Sequence, residues 1–160
     1  MDILQEIASY FCKDSTAKKP LVAVADYGNK KDYFYANGNK YNEYFAKDSR
    51  ICVLADEDTA SASECLLGTL LDYGAITYGD ICLIERGGVA KTYGKGIMQT
   101  TYYLDVIKKD ALKLTTARVL WPKTNTCIHG RGVLSSDGTK VVVENYQEDG
   151  EIFSALGVLF

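Results

Sequence analysis

The sequence predicts an α/β or α+β domain. Short β-branched apolar runs recur along the chain, helical apolar periodicities are interleaved with them, and turn residues separate the two. With 160 residues, 47% hydrophobic and 24% charged, the chain suffices for one globular domain with a real core.

Ile3, Leu4, Ile7, Ala8 and Phe11 recur at helical spacing, so the chain opens with an amphipathic helix that stops near Asp14-Ser15. Leu21 to Ala25 is a short apolar run before a turn signal at Asp26 to Gly28 and reads as a buried strand. Gly28 to Asn42 shifts to Tyr, Lys, Asn and Gly around Tyr33-Phe34-Tyr35, the composition of an exposed hairpin. Its rings and lysines are either a solvated loop or a surface for an extended ligand. Ile51 to Ala55 is a second buried strand, and Asp56 to Thr59 carries the chain out of it.

Next comes a helix from about Ser61 to Asp72, with Leu66, Leu67, Leu70 and Leu71 on one face and Gly74 at its C-terminal cap. Ile81 to Glu85 and Val89 to Tyr93 flank Arg86-Gly87-Gly88, a hairpin signature. Ala111 to Leu120 alternates as a half-exposed strand that Pro122 ends, and the tail holds Val141 to Val143 and an apolar segment from Ile152 to Phe160.

The formal net charge of −3 gives no pull towards nucleic acid or anionic lipid, so no nucleic-acid partner is expected. No apolar run reaches the roughly 20 residues that span a bilayer, so no membrane segment is expected. Oligomeric state has no signal in the sequence. Cys12, Cys52, Cys65, Cys82 and Cys127 form no Cys-x-x-Cys pair and mostly sit in apolar stretches, as buried free thiols do. No metal or cofactor is expected.

Chemistry concentrates in two segments. Thr59-Ala60-Ser61-Ala62-Ser63-Glu64 puts a serine where a strand has ended and a helix begins, with free N–H groups and the positive helix end beside its hydroxyl. The same Ser61-x-x-Glu64 spacing also reads as a capping box. Thr92-Tyr93-Gly94-Lys95-Gly96-Ile97-Met98-Gln99 puts a lysine between two glycines, leaving little bulk beside its amine. A phosphate-binding Walker loop fails here, because Val89 and Gly96 stand where it needs glycine and Ser or Thr. A serine activated by a neutral lysine is an alternative to a Ser-His pair. The single histidine, His129, sits in a loop context that favours a structural role.

Those two blocks, followed by Leu112-Lys113-Leu114-Thr115-Thr116-Ala117-Arg118 with Pro122 and Gly130-Arg131-Gly132, resemble the carboxyl-terminal processing (tail-specific) proteases over about Ile3 to Val133. The resemblance implies a crotonase-like (ClpP-like) α/β core of ββα units, here with an additional β-hairpin. It implies a Ser-Lys serine peptidase acting on protein or peptide substrates near their C-termini. Ser61 is then the nucleophile, Lys95 the base, Gln99 the residue that orients the lysine, and the Ala62 N–H an oxyanion donor. It further implies an extracytoplasmic parent protein. The rival expectation is a catalytically silent crotonase-like binding module with the Tyr-rich hairpin as its contact surface.

Three departures qualify the resemblance. The spacing from Ser61 to Lys95 is 95 − 61 = 34 residues, longer than usual in such enzymes, with the excess expected in the Asp80 to Lys91 hairpin. The Asp-Leu-Arg and Gly-rich stretch that supplies a second oxyanion donor in relatives has no counterpart here, and neither has a PDZ-like segment. Residues 1–160 are therefore expected to form a catalytic domain truncated on its N-terminal side, inactive or weakly active alone.

Overall fold

The structure is a computed structural model and describes residues 2–14, 19–41, 49–104, 110–143 and 149–157. Among these, the elements run α1 (Asp2–Phe11), β1 (Leu21–Asp26), β2 (Lys31–Tyr35), β3 (Val53–Ala55), α2 (Ala62–Asp72), β4 (Ile81–Glu85), β5 (Ile97–Tyr103), β6 (Ala111–Leu120), β7 (Lys140–Val143) and α3 (Asp149–Leu156). The strands form two sheets, a four-stranded one in the order β2-β1-β6-β5 and a three-stranded one in the order β3-β4-β7. Every pairing in the first is antiparallel and every pairing in the second is parallel.

The main core draws Leu4 and Ala8 from α1, Val22 from β1, Leu67 and Leu70 from α2, and Ile81 and Leu83 from β4. A smaller cluster packs α3, through Ile152 and Leu156, on Cys82, Ile84 and Val142. Strand β4 is thus covered on both faces, which is why it reads as an unbroken apolar run with no alternation. Helix α2 is fastened to β1 by Thr69 Oγ, 2.8 Å from Val22 O. It also lies flush on Trp121, whose ring atoms stand 2.2 Å from where a Cβ on Gly68 would be.

Several sequence expectations change in detail. Ile3, counted on the apolar stripe of α1, is 77% exposed, because Leu4 and Ala8 take the core-facing side. The second strand is only three residues long, and Leu54 is exposed because β3 is a sheet edge. The hairpin expected at Ile81 to Tyr93 shrinks to a single bridge, Arg86 to Val89, closed by Gly87 and Gly88 at φ 55° and 80°. Beyond it the chain turns away, since β4 has parallel partners on both sides. Strand β5 was not expected at all. The apolar tail is helical over Asp149–Leu156, and Asn42 and 158–160 lie outside the described residues.

Candidate active site

The turn before α2 is built by Asp56, whose Oδ1 accepts the N–H groups of Asp58 and Thr59, each at 3.1 Å, and whose carboxylate pairs with Arg86. It delivers Ser61 as the N-cap of α2 with φ 57° and ψ −113°. A side chain at positive φ is unfavourable, by about 1–3 kcal/mol in such sparsely populated regions. The Ser61 hydroxyl makes no cap hydrogen bond. Only the Glu64 half of the capping box operates: its Oε2 accepts the Ser61 N–H at 3.0 Å. The hydroxyl is therefore not consumed in holding the helix.

Glu64 does more than cap. Its side chain is fully buried, Oε1 accepts the Thr92 hydroxyl at 2.6 Å and the Gly94 N–H at 2.7 Å, and Oε2 also accepts the Lys95 N–H at 2.8 Å. All four partners are donors, which the two oxygens of one carboxylate can accept together. Tyr93 adds a further link by donating its N–H to Thr59 O at 2.9 Å. The lysine segment is thus fixed to the serine segment by backbone, and the 34-residue separation does not hold them apart.

The glycines beside Lys95 serve the protein rather than an approaching ligand. A Cβ on Gly96 would stand 2.8 Å from the His129 backbone N, and one on Gly94 2.9 Å from the Gly132 N. The Gly94 carbonyl accepts the Gly130 N–H at 2.9 Å, and Thr92 exchanges hydrogen bonds with Val133. Gly-Lys-Gly is accordingly packed against the loop from Ile128 to Val133. His129 lends that loop its backbone, while its side chain is exposed and outside the pocket.

Ser61, Ala62, Lys95 and Gln99 line one pocket of about 330 Å³, with Phe34, Cys65, Ile97, Met98, Lys113 and Val119 completing its wall. The ladder beside the pocket carries a bulge on β6: Met98 pairs with Ala117 and Gln99 with Thr115, a slip that leaves Thr116 unmatched. Ile97, Met98 and Gln99, at the start of β5, all line the pocket. The Ala62 N–H, at the first position of α2, has no hydrogen-bond partner among the described residues. Ser61 Oγ and Lys95 Nζ share no hydrogen bond.

Cys65 also lines the pocket. Burial, and after it the charges of Glu64 and Cys127, push its thiol up to about 12, leaving it an inert apolar surface. All five cysteines are free thiols. Among the described residues no group of three or more His, Cys, Asp or Glu side chains is placed to hold a metal, and no helix is long and apolar enough to cross a membrane. Sequence reasoning named Ser61, Lys95, Gln99 and Ala62 but gave Glu64 only a capping role. The signal missed was that a glutamate followed by an apolar helical face is fully buried, so both its oxygens need donors from outside the helix.

These residues stand around one pocket of a mixed α/β fold, and comparison with known proteins defines the family. The chain belongs to peptidase family S41, whose sequence profile matches residues 2–136. It is 34% identical over 117 residues, 72% of the chain, to a protein of Staphylococcus saprophyticus named "Probable CtpA-like serine protease". It is 33% identical over 133 residues to the Staphylococcus haemolyticus protein of the same description. The chain spans only 21% and 23% of those proteins. Among solved structures, the photosystem II D1 C-terminal processing protease superposes with a TM-score of 0.58 at 26% identity, over 80% of this chain and 28% of that one. An S41 protease structure from Bacteroides fragilis gives a TM-score of 0.53 at 15% identity, a likeness of fold.

Proposed function

We propose that residues 1–160 carry the nucleophile and base of a serine peptidase that cleaves peptide bonds near protein C-termini through a Ser-Lys acyl-enzyme, on a crotonase-like core. Lys95 Nζ accepts the Ser61 proton as Oγ bonds to the scissile carbonyl carbon. The carbonyl electrons move onto oxygen, where the Ala62 N–H and the positive end of α2 meet the developing charge. The C–N bond then breaks and Lys95 returns the proton to the leaving amine. Water repeats the sequence on the ester, again with Lys95 as base, and frees Ser61. Gln99 orients the lysine. The reading extends to an extracytoplasmic parent protein, as the family resemblance implies.

The observation that supports this most is the Glu64 carboxylate holding the backbones of Ser61 and Lys95 at 3.0 and 2.8 Å while the serine hydroxyl stays free of the helix cap. The test is labelling of the full-length protein, rather than of residues 1–160 alone, with a fluorophosphonate, followed by mapping of the modified residue. Modification at Ser61 that disappears in Lys95→Ala is expected. A second reading, a silent binding module presenting the exposed Tyr33 and Tyr35, draws on the missing Ser61 to Lys95 hydrogen bond. It predicts no labelling at Ser61 in either form.

A further inference from the structure

Lys113 lies on β6 opposite Thr101 of β5, one pair of residues outward from the Gln99 to Thr115 pair. It reaches the wall of the same pocket as Ser61, Ala62 and Gln99. Lys113 has no salt bridge or hydrogen bond among the described residues. None of the residues lining the pocket is acidic, although the chain has 21 acidic against 18 basic residues. The carboxylate of Glu64, which holds the Ser61 and Lys95 backbones, is fully buried and occupied by its four donors. A lysine kept free of counter-charge, in a pocket without acids, on a surface otherwise rich in them, is a binding position for an incoming anion.

We infer that Lys113 is a specificity-determining residue that receives a carboxylate of the substrate peptide close to the bond being cleaved. This rests on the proposed peptidase reading and deepens it. Strand β5 is the outer strand of its sheet among the described residues, and an outer edge is where an extended peptide running away from the pocket can pair. One pair step along antiparallel strands is about 7 Å, and a lysine side chain adds its own reach. The carboxylate therefore sits about two to three residues from the scissile bond. Its chemistry is met equally by the terminal carboxylate of a short C-terminal tail and by an Asp or Glu side chain at that offset.

The experiment separates those two sources and does not depend on turnover. Fluorescent peptides are titrated against Ser61→Ala protein: one ending in a free carboxylate two residues beyond the scissile position, its C-terminal amide, and a longer amidated pair with Asp or Asn there. A preference of about five-fold for the carboxylate is expected at low salt, shrinking as salt is added. The Ser61→Ala/Lys113→Gln protein should show a ratio near one. If only the terminal acid or only the Asp peptide shows the preference, that source is the ligand. Equal binding of all four peptides by Ser61→Ala protein, or an equal loss for charged and neutral peptides on Lys113→Gln, overturns the inference. Charge-selective binding without any hydrolysis by the full-length Ser61 protein would instead overturn the peptidase reading and leave Lys113 its role.

Discussion

Glu64 Oε2 accepts the backbone N–H of Lys95 at 2.8 Å across 31 residues of sequence, and the same oxygen holds the N–H of Ser61. The distance between the two candidate catalytic segments is therefore set by one buried carboxylate, with the Tyr93 N–H to Thr59 O hydrogen bond beside it. Glu64→Gln keeps the volume but turns one acceptor into a donor facing N–H groups that are themselves donors. A buried hydrogen bond to a charged group is worth about 1.5–3 kcal/mol, so the variant should lose at least about 2 kcal/mol in a urea titration. Ser61 labelling should fall in the same protein under native conditions. Wild-type stability in Glu64→Gln would mean that the four donors are satisfied without the carboxylate.

Gly96→Ala tests the packing of the lysine segment, because its Cβ would stand 2.8 Å from a backbone atom of His129 and 3.3 Å from Cys127 Sγ. Backbone cannot rotate away, so the Lys95 segment or the Cys127 to His129 loop must shift, at about 1–3 kcal/mol. Gly28→Ala is the control: its Cβ meets nothing within 4 Å, and only its φ of +87° is unfavourable, which costs about 1 kcal/mol. The expected result is reduced Ser61 labelling in Gly96→Ala with labelling kept in Gly28→Ala. Equal labelling in both would show that the loop contact does not set the site.

Local pattern made much of this legible. Leu67 and Leu70 are buried on α2 as their spacing requires, Gly74 takes φ 69° at its end, and Ala111–Leu120 is a strand up to the residue before Trp121-Pro122. What stayed hidden depends on contacts distant in sequence. Strand β5 escaped because Gln99 to Tyr103 are exposed on both faces, so no alternation marks them. The parallel pairing of β4 with β3 and β7 is equally invisible to turn signals, which read only the Arg86-Gly87-Gly88 reversal. Ser61 and Glu64 were visible as a spacing, but whether the serine caps the helix is decided by its ψ of −113°, which no residue type announces.

Cys65 should resist alkylation although it lines the pocket. Burial pushes its thiol up to about 12, so almost none is thiolate at pH 8, and the thiolate is the reactive species. With iodoacetamide on native protein, the partly exposed Cys52 and Cys127 should be modified first, and Cys65 only once denaturant is present. Early modification of Cys65 would show a pocket wall more open than this one.

Asp80 ties the turn before β4 to Arg50, which also donates to the Leu156 carbonyl at the end of α3. Burial by itself pushes the Asp80 carboxyl up, but hydrogen bonds from the Thr77 N–H and hydroxyl and from Arg50 outweigh it, and the net direction is down. A carboxyl lower in the folded than in the unfolded chain adds stability above its unfolded value of about 3.9, and that stability is lost as pH falls through the folded value. Asp80→Asn should therefore be less stable than wild type at pH 7 and at pH 5, with the gap narrowing once pH falls below the unfolded value of about 3.9, as at pH 3. An unchanged gap in urea midpoints at all three would place the effect in packing instead.

The Ser-Lys reading makes its sharpest demand on four substitutions measured together. A nucleophile and its base act as a unit, so in the full-length enzyme Ser61→Ala and Lys95→Ala should each remove nearly all turnover, by about 10⁴-fold or more. Gln99 is exposed at the bulge and donates to no protein group among the described residues. Gln99→Ala removes orientation rather than the proton acceptor and should cost no more than about 10²-fold. His129→Ala should keep most of the rate, because that side chain faces solvent away from the pocket. Since a base must be unprotonated to accept the serine proton, the wild-type rate should rise with pH, and the residual rate of Lys95→Ala should lack that rise. A His129→Ala protein without activity beside a Lys95→Ala protein with near-normal rates would exclude the lysine mechanism, and this pocket would then not be the catalytic one.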